Sequence, residues 1–162
     1  MTDVVDKKTR SRMMSGIRSK NTQPELLIRK ALFARGLRYR LHVASLPGKP
    51  DLVFPKYRAV IFIHGCFWHR HGCHLFKWPS TNADEWRKKI NRNAEVDQKN
   101  YVALGGKGWR ILTVWECSLK GKYRLDFDDI IDRIVDWLAG GSEDMSIEGK
   151  PEHRRGGSGR GP

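Results

Sequence analysis

DLVFPKYRAVIFIHGCFWHRHGCH, residues 51–74, carries both the fold and the chemistry of this chain. Its first part, DLVF (51–54) and YRAVIFIHG (57–65), consists of two β-rich runs around Pro55-Lys56. That pattern predicts a β-hairpin. Pairing Pro55 with Arg58 sets Asp51 opposite Phe62, and any nearby register leaves Asp51 beside Ile63 and His64. The second part, HGCFWHRHGCH (64–74), holds four of the chain's six histidines and two of its three cysteines, with a Phe-Trp pair between them. It reads as a loop leaving the second strand.

Outward from this stretch, RYRLHV (38–43) alternates polar and apolar residues and predicts a strand with one buried face. Before it, TQPE has the spacing of a capping box, Thr22 with Glu25, and Pro24 suits a first helical turn. The helix would run through LLIRKALFARG and stop at Gly36. After the loop, NADEWRKKINRNAEVDQKNYVALGG reads as one long helix started by Asn82 or Asp84. WRILTVWE (109–116) reads as a buried strand, and LDFDDIIDRIVDWLAGG as a final amphipathic helix. A long helix between the third and fourth strands requires a parallel crossover. The predicted fold is therefore α/β, a mixed sheet flanked by helices. Residues 1–20 form a basic N-terminal arm, 21–140 the folded domain with its Cys/His loop at 64–78, and 141–162 a tail whose Gly, Ser and charge predict disorder.

The 162 residues suit one domain with a hydrophobic core. No apolar run approaches the roughly 18 residues of a spanning helix, and MTDVVDKKTRSRMMSG lacks the apolar stretch of a signal peptide. A cytoplasmic location is expected, with no membrane partner. Lys and Arg number 31 against 18 Asp and Glu, a formal net charge of +13. The expected partner of such a charge is nucleic acid. Nothing suggests a dimer face, so a monomer is expected.

Three cysteines cannot all pair within one chain, and in a reducing compartment they point to thiolate ligands or free thiols rather than disulfides. Cys66, His71, Cys73 and Cys117 would make a closed set for a structural Zn²⁺. By spacing alone His69 and His74 have the same claim as His71. Histidines are then left over. Asp51 beside the strand-end His64, in a basic protein, suits phosphodiester hydrolysis. The carboxylate would hold Mg²⁺, and a neutral imidazole would take the proton of the attacking water. Phe67, Trp68, Trp78 and Trp86 lie in or beside a polar loop and on a charged helix, where they suit stacking on or wedging between bases. Met13 or Met14 would add a wedge on the basic arm. Trp109, Trp115 and Trp137 are expected in the core. A zinc-stabilised DNA-binding protein without catalysis would explain the charge, the cysteines and the aromatics, but it leaves Asp51 and the surplus histidines without a task. A nuclease of the His-metal-finger type would need its metal and base on a hairpin-helix unit, whereas Asp51 and His64 fall on neighbouring strands.

Four strings in order resemble the very-short-patch repair endonucleases of bacteria: TRSRMM (9–14), ASLPGKPDLVF (44–54), VIFIHGCFWHRHGCHLFK (60–77) and WRILTVWEC (109–117). The resemblance runs from about Asp6 to Trp137. It implies a core like that of type II restriction endonucleases, with Phe62-Ile63-His64 standing where their acidic-x-Lys motif would be. It implies a DNA-repair hydrolase that nicks one strand 5′ of the thymine in T·G mismatches left by 5-methylcytosine deamination, in the bacterial nucleoid and in reach of other mismatch-repair proteins. By position, Asp51 would ligate Mg²⁺ with the backbone carbonyl of Ile63, where the family often has Thr. His69 would be the general base, His64 a supporting group held by Asp97, and Glu25 a neighbour of the metal site. Zinc would take Cys66, His71, Cys73 and Cys117. Phe67, Trp68 and Trp86 would enter the duplex from the major groove, and Met14 from the minor groove.

Overall fold

Strand β3 (Ala59–His64) is the centre of the molecule. In the computed structural model, which describes residues 22–151, it pairs antiparallel with β2 (Leu52–Phe54) and parallel with β4 (Arg110–Trp115). Both faces of β3 are covered, which is why its sequence is a continuous apolar run without alternation. Ala59 and Ile61 point to one core, shared with Ile28, Leu32, Leu112 and Ile134 from two helices and β4. Val60 and Phe62 point to a second core with Val53, Leu104 and Ile111. The helices are α1 (Gln23–Ala34), α2 (Ala83–Gly106) and α3 (Phe127–Gly140). The crossover from β3 to β4 runs through α2, as parallel pairing demands.

The hairpin has the expected register: Leu52 faces Ile61 and Phe54 faces Ala59, which extends to Asp51 opposite Phe62. Its turn is longer than two residues. Pro55–Tyr57 forms a single 3₁₀ turn and Arg58 closes it in the left-handed region at φ 52°. Arg58 is tied there by its guanidinium, which donates to the Lys107 carbonyl at 2.7 Å. Helix α1 ends through Gly36 at φ 88°, with the Leu37 N–H returning to the Leu32 carbonyl, the glycine stop read from the sequence. Helix α3 is capped by the Asp126 carboxylate on the Asp129 N–H and buries Ile130, Ile131, Ile134, Trp137 and Leu138.

Three sequence expectations need correction. Strand β1 is only Arg40–Leu41, both exposed, rather than a half-buried strand over 38–43; His42 turns the chain out of the sheet at φ 46°. The capping box does not form, since Thr22 makes no side-chain cap bond. Glu25 is instead buried at 1% exposure and takes a 2.8 Å bond from Arg29. Third, residues 141–151 are not a featureless tail: Met145–Ile147 is a fifth strand, parallel to β4; residues 152–162 of the expected tail lie outside the described residues. Its order comes from partners that its own composition does not show. Ile147 is fully buried in the main core, and the Asp144 carboxylate accepts the Ile111 N–H at 2.8 Å. The sheet order is β1-β2-β3-β4-β5. Among the described residues no helix is long and apolar enough to cross a membrane.

If β5 is part of the core, Ile147→Ala should lower unfolding stability by about 2–4 kcal/mol in urea titrations. A change of less than about 0.5 kcal/mol, the usual surface value, would contradict the packing.

Candidate active site and metal-ligand cluster

The parallel register sets His64 beside Trp115. Each strand then turns, and two residues later each places a cysteine in the same space. Cys66, His71, Cys73 and Cys117 offer ligand atoms that all lie within 4.8 Å of one another. His71 Nδ1 is 3.5 Å from Cys66 Sγ and 3.6 Å from Cys117 Sγ. The structure thus separates His71 from its rivals: His69 is turned toward α2, and His74 packs edge-on against Tyr123 at 4.8 Å. Burial is the main reason that the thiols of Cys66 and Cys117 sit above their ordinary range, and neighbouring thiols add to it. A cation among them reverses that balance by favouring thiolates.

His69 lies on the loop between two of these ligands. Its ring stacks on His64 at 3.7 Å, nearly coplanar at 4°. Its Nδ1 lies 2.5 Å from Asp97 Oδ2. His64 itself is buried, and its Nδ1 meets the Tyr101 hydroxyl at 3.3 Å. The expectation that Asp97 holds His64 is therefore corrected: Asp97 holds His69 and Tyr101 holds His64. The helix explains the division, because positions 97 and 101 are one turn apart and share a face. Burial first, and the neighbouring His69 second, hold His64 well below the ordinary imidazole range, so it stays neutral. Burial likewise pushes the Tyr101 phenol up, keeping its hydroxyl protonated.

Asp51 lies at the start of β2, and its Oδ2 accepts the Ile63 N–H at 2.7 Å. Glu25 and His42 complete a third group whose ligand atoms lie within 4.8 Å of one another. His42 Nε2 is 2.7 Å from Glu25 Oε2. Two carboxylates are thus brought together in a largely buried corner of a protein rich in positive charge.

A family model described as DNA mismatch endonuclease Vsr matches residues 2–75. The chain is 42% identical over 153 residues to the DNA mismatch endonuclease Vsr of Escherichia coli (strain K12), covering 94% of this chain and 98% of that protein. It is 47% identical over 119 residues to the type II nicking enzyme V.XorIIP of Xanthomonas oryzae pv. oryzae, covering 74% and 88%. It is 48% identical over 122 residues to the type II nicking enzyme V.NmeAIP of Neisseria meningitidis serogroup A, covering 75% and 87%. The chain belongs to the Vsr family of DNA mismatch endonucleases. Its substrate is accordingly DNA and its reaction phosphodiester hydrolysis.

In this Vsr-family chain four aromatic residues, from the loop and from α2, form one cluster. Phe67 packs edge-on against Trp68 at 5.0 Å and Trp86 at 5.4 Å, and Phe76 joins at 6.0 Å. All four are partly exposed. Lys89 lies 5.7 Å over Trp68 and 5.6 Å over Trp86, and Arg87 lies 4.8 Å over Trp78, so the cluster is rimmed by cations. Met14 and the rest of the basic arm lie outside the described residues. Sequence reasoning missed His42, Tyr101, Phe76 and the position of Trp115. Trp115 is not core. Its ring stacks on His71 at 4.1 Å and meets the edge of His64 at 5.3 Å, forming a wall between the cysteine cluster and the two histidines.

Asp51 is pushed up from 3.8 to about 7, chiefly by burial and further by Glu25, while the Ile63 N–H and His69 pull it down. The folded chain thus binds this proton more tightly than the unfolded chain. Without added Mg²⁺, stability falls as pH rises from about 4 to about 7, by on the order of 1 kcal/mol per pH unit where the group titrates, and the loss is complete above that window. Asp51→Asn removes the term. In urea titrations from pH 5 to 8 the variant should gain on the wild type as pH rises, with the gap levelling off above about pH 7; parallel curves would contradict the burial of this charge.

Proposed function

We propose that this chain nicks one strand of duplex DNA on the 5′ side of the thymine in T·G mismatches arising from 5-methylcytosine deamination, and so starts very short patch repair. The observation that carries this reading is that Phe67 and Trp68, packed against Trp86 of α2, immediately precede His69 on one loop, and that His69 lies near enough to Asp51 to act on its charge. Recognition of a weakened base pair and attack on the adjacent phosphate would then use neighbouring residues of one loop, backed by α2. A T·G pair is easier to unstack than a Watson–Crick pair, and unstacking costs a few kcal/mol per step. That difference gives Phe67, Trp68 and Trp86 a basis for selecting it.

The donor sets fit two different metals. The S–N separations of 3.5 and 3.6 Å around His71 match the edge of a tetrahedron with Zn–S about 2.3 Å and Zn–N about 2.0 Å, which is about 3.5 Å. Cys66, His71, Cys73 and Cys117 would hold Zn²⁺, which fixes the loop and takes no part in the reaction. The hard oxygens of Asp51 and the backbone carbonyl of Ile63 suit Mg²⁺, and burial, with Glu25 nearby, raises the Asp51 carboxyl, a cost that a bound cation would offset. Mg²⁺ when bound supplies charge stabilisation on the phosphate and on the leaving oxygen. A carbonyl ligand tolerates any side chain at 63, so Ile63 in place of Thr leaves it intact.

Within the chain, His69 takes the proton from the attacking water at Nε2, because Nδ1 is occupied by Asp97. Asp97 orients the ring and favours the imidazolium that forms. His64 stays neutral beneath it, fixing the plane of the base without adding positive charge. Glu25 closes the Asp51 corner with His42 and Arg29. The basic arm, residues 1–20 with Met14, would complete the grip from the minor groove. The protein would act as a monomer on nucleoid DNA in the bacterial cytoplasm, within reach of other mismatch-repair proteins.

A nicking assay on duplexes with T·G or T·A at one site tests this. The wild type should cut the T·G duplex only, with Mg²⁺. Asp51→Ala and His69→Ala should bind the duplex yet cut at least roughly 100-fold more slowly. Equal cutting of T·A removes the mismatch reading, and full activity in either variant removes that residue from the mechanism.

A further inference from the structure

The structure assigns Glu148 as a positioning residue of the cysteine–histidine metal centre: its carboxylate fixes His71 so that Nδ1 faces the metal. This inference rests on the zinc reading above. Glu148 follows β5 directly, and its Oε1 lies 2.7 Å from His71 Nε2. The opposite ring nitrogen faces Cys66 and Cys117. One imidazole thus has its two nitrogens committed in opposite directions, one toward the ligand cluster and one toward a carboxylate. An Nε2–H that donates to a carboxylate leaves Nδ1 as the lone-pair nitrogen, sets the tautomer and raises its basicity as a ligand.

The same short segment makes further contacts with the centre. The Gly149 N–H donates to Cys117 Sγ at 3.3 Å, and the Lys150 N–H donates to the Tyr123 carbonyl at 2.7 Å. Gly149 has no room for a side chain: a Cβ there would lie 2.6 Å from the Cys117 carbonyl oxygen and 2.8 Å from that of Tyr123. Ser146 accepts the Trp115 indole N–H at 3.0 Å, and the Trp115 ring stacks on His71. His71 is therefore held on its face by Trp115 and at its outer nitrogen by Glu148. Residues 146–149 thus lie against the ligands supplied by the loop and by the turn that follows β4. The Glu148 side chain is itself 62% exposed, so exchanging it removes no core packing.

The test uses the full-length protein with Glu148→Gln and Glu148→Ala, read by copurifying zinc, by the rate of zinc transfer to excess chelator, and by the visible spectrum of the Co²⁺-substituted protein. Glu148→Ala should release zinc about 10–100-fold faster than the wild type. Glu148→Gln, which keeps an oxygen acceptor without the charge, should fall between. In a His71→Cys background, where no imidazole needs orienting, Glu148→Ala should leave the release rate unchanged. Release at the wild-type rate in Glu148→Ala, or equal acceleration in both backgrounds, overturns the assignment. If the alanine variant does not fold, Glu148→Gln with a wild-type release rate and an unaltered Co²⁺ spectrum overturns it equally. A folded wild type that holds no zinc overturns the zinc reading itself, whereas a wild type with one tightly held zinc and indifferent variants overturns only the role of Glu148.

Discussion

The parallel pairing of β3 with β4 ends with His64 beside Trp115, and two residues beyond each of these comes a cysteine. Because the register is matched, Cys66 and Cys117 arrive at the same place, and the loop that leaves β3 must fold back to deliver His71 and Cys73. A one-residue slip would send alternate side chains to the wrong face of the sheet and separate the two cysteines. The crossover helix α2 that makes the pairing parallel also contributes to the site. Its face at Trp86, Asn93, Asp97 and Tyr101 lies along the loop: Asn93 donates to the Trp68 carbonyl, Asp97 bonds His69 and Tyr101 meets His64. Strand register therefore sets the metal-ligand cluster, and helix periodicity sets the orientation of the histidines.

The electrostatics follow from the same packing. Positive charge predominates over the chain as a whole, as a DNA-directed enzyme needs. Against that background the Asp51 corner collects two carboxylates out of water, and burial pushes Asp51 up to about 7. Burial acts oppositely on His64 and holds it neutral. The corner thus favours a cation near the carboxylates. Trp115 separates this chemistry from the thiols, with one ring face against His71 and the His64 ring at its edge.

Much of this was legible in the sequence because it is local. The Asp51 register follows from a hairpin whose turn is fixed by Pro55, and the ligand types of Cys66, His71, Cys73 and Cys117 follow from their chemistry. The long helix and its crossover follow from length and order. What was not legible depends on contacts distant in the chain. Strand β5 has a single buried side chain, Ile147, amid Gly, Ser and charge, so its composition resembles disorder; pairing with the edge of β4 and burial of Ile147 in the main core order it. The Thr22–Glu25 spacing is that of a cap, but Glu25 is drawn inward to Arg29 and His42. Trp115 has the look of a core residue, yet it is drawn to the surface of the cluster by His71 and Ser146. Asp97 and Tyr101 share a helix face, and no sequence pattern says which of them meets which histidine.

The proposed catalytic unit is a loop imidazole aligned by a helix carboxylate, His69 with Asp97. The most direct measurement is a double-mutant cycle on the single-turnover nicking rate of a T·G duplex at saturating Mg²⁺, with His69→Ala, Asp97→Asn and both together. Asp97 acts through His69, so Asp97→Asn should slow the wild type by roughly 100-fold or more and slow the His69→Ala variant hardly at all. An equal loss in both backgrounds would show that Asp97 acts independently of His69 and would contradict the account.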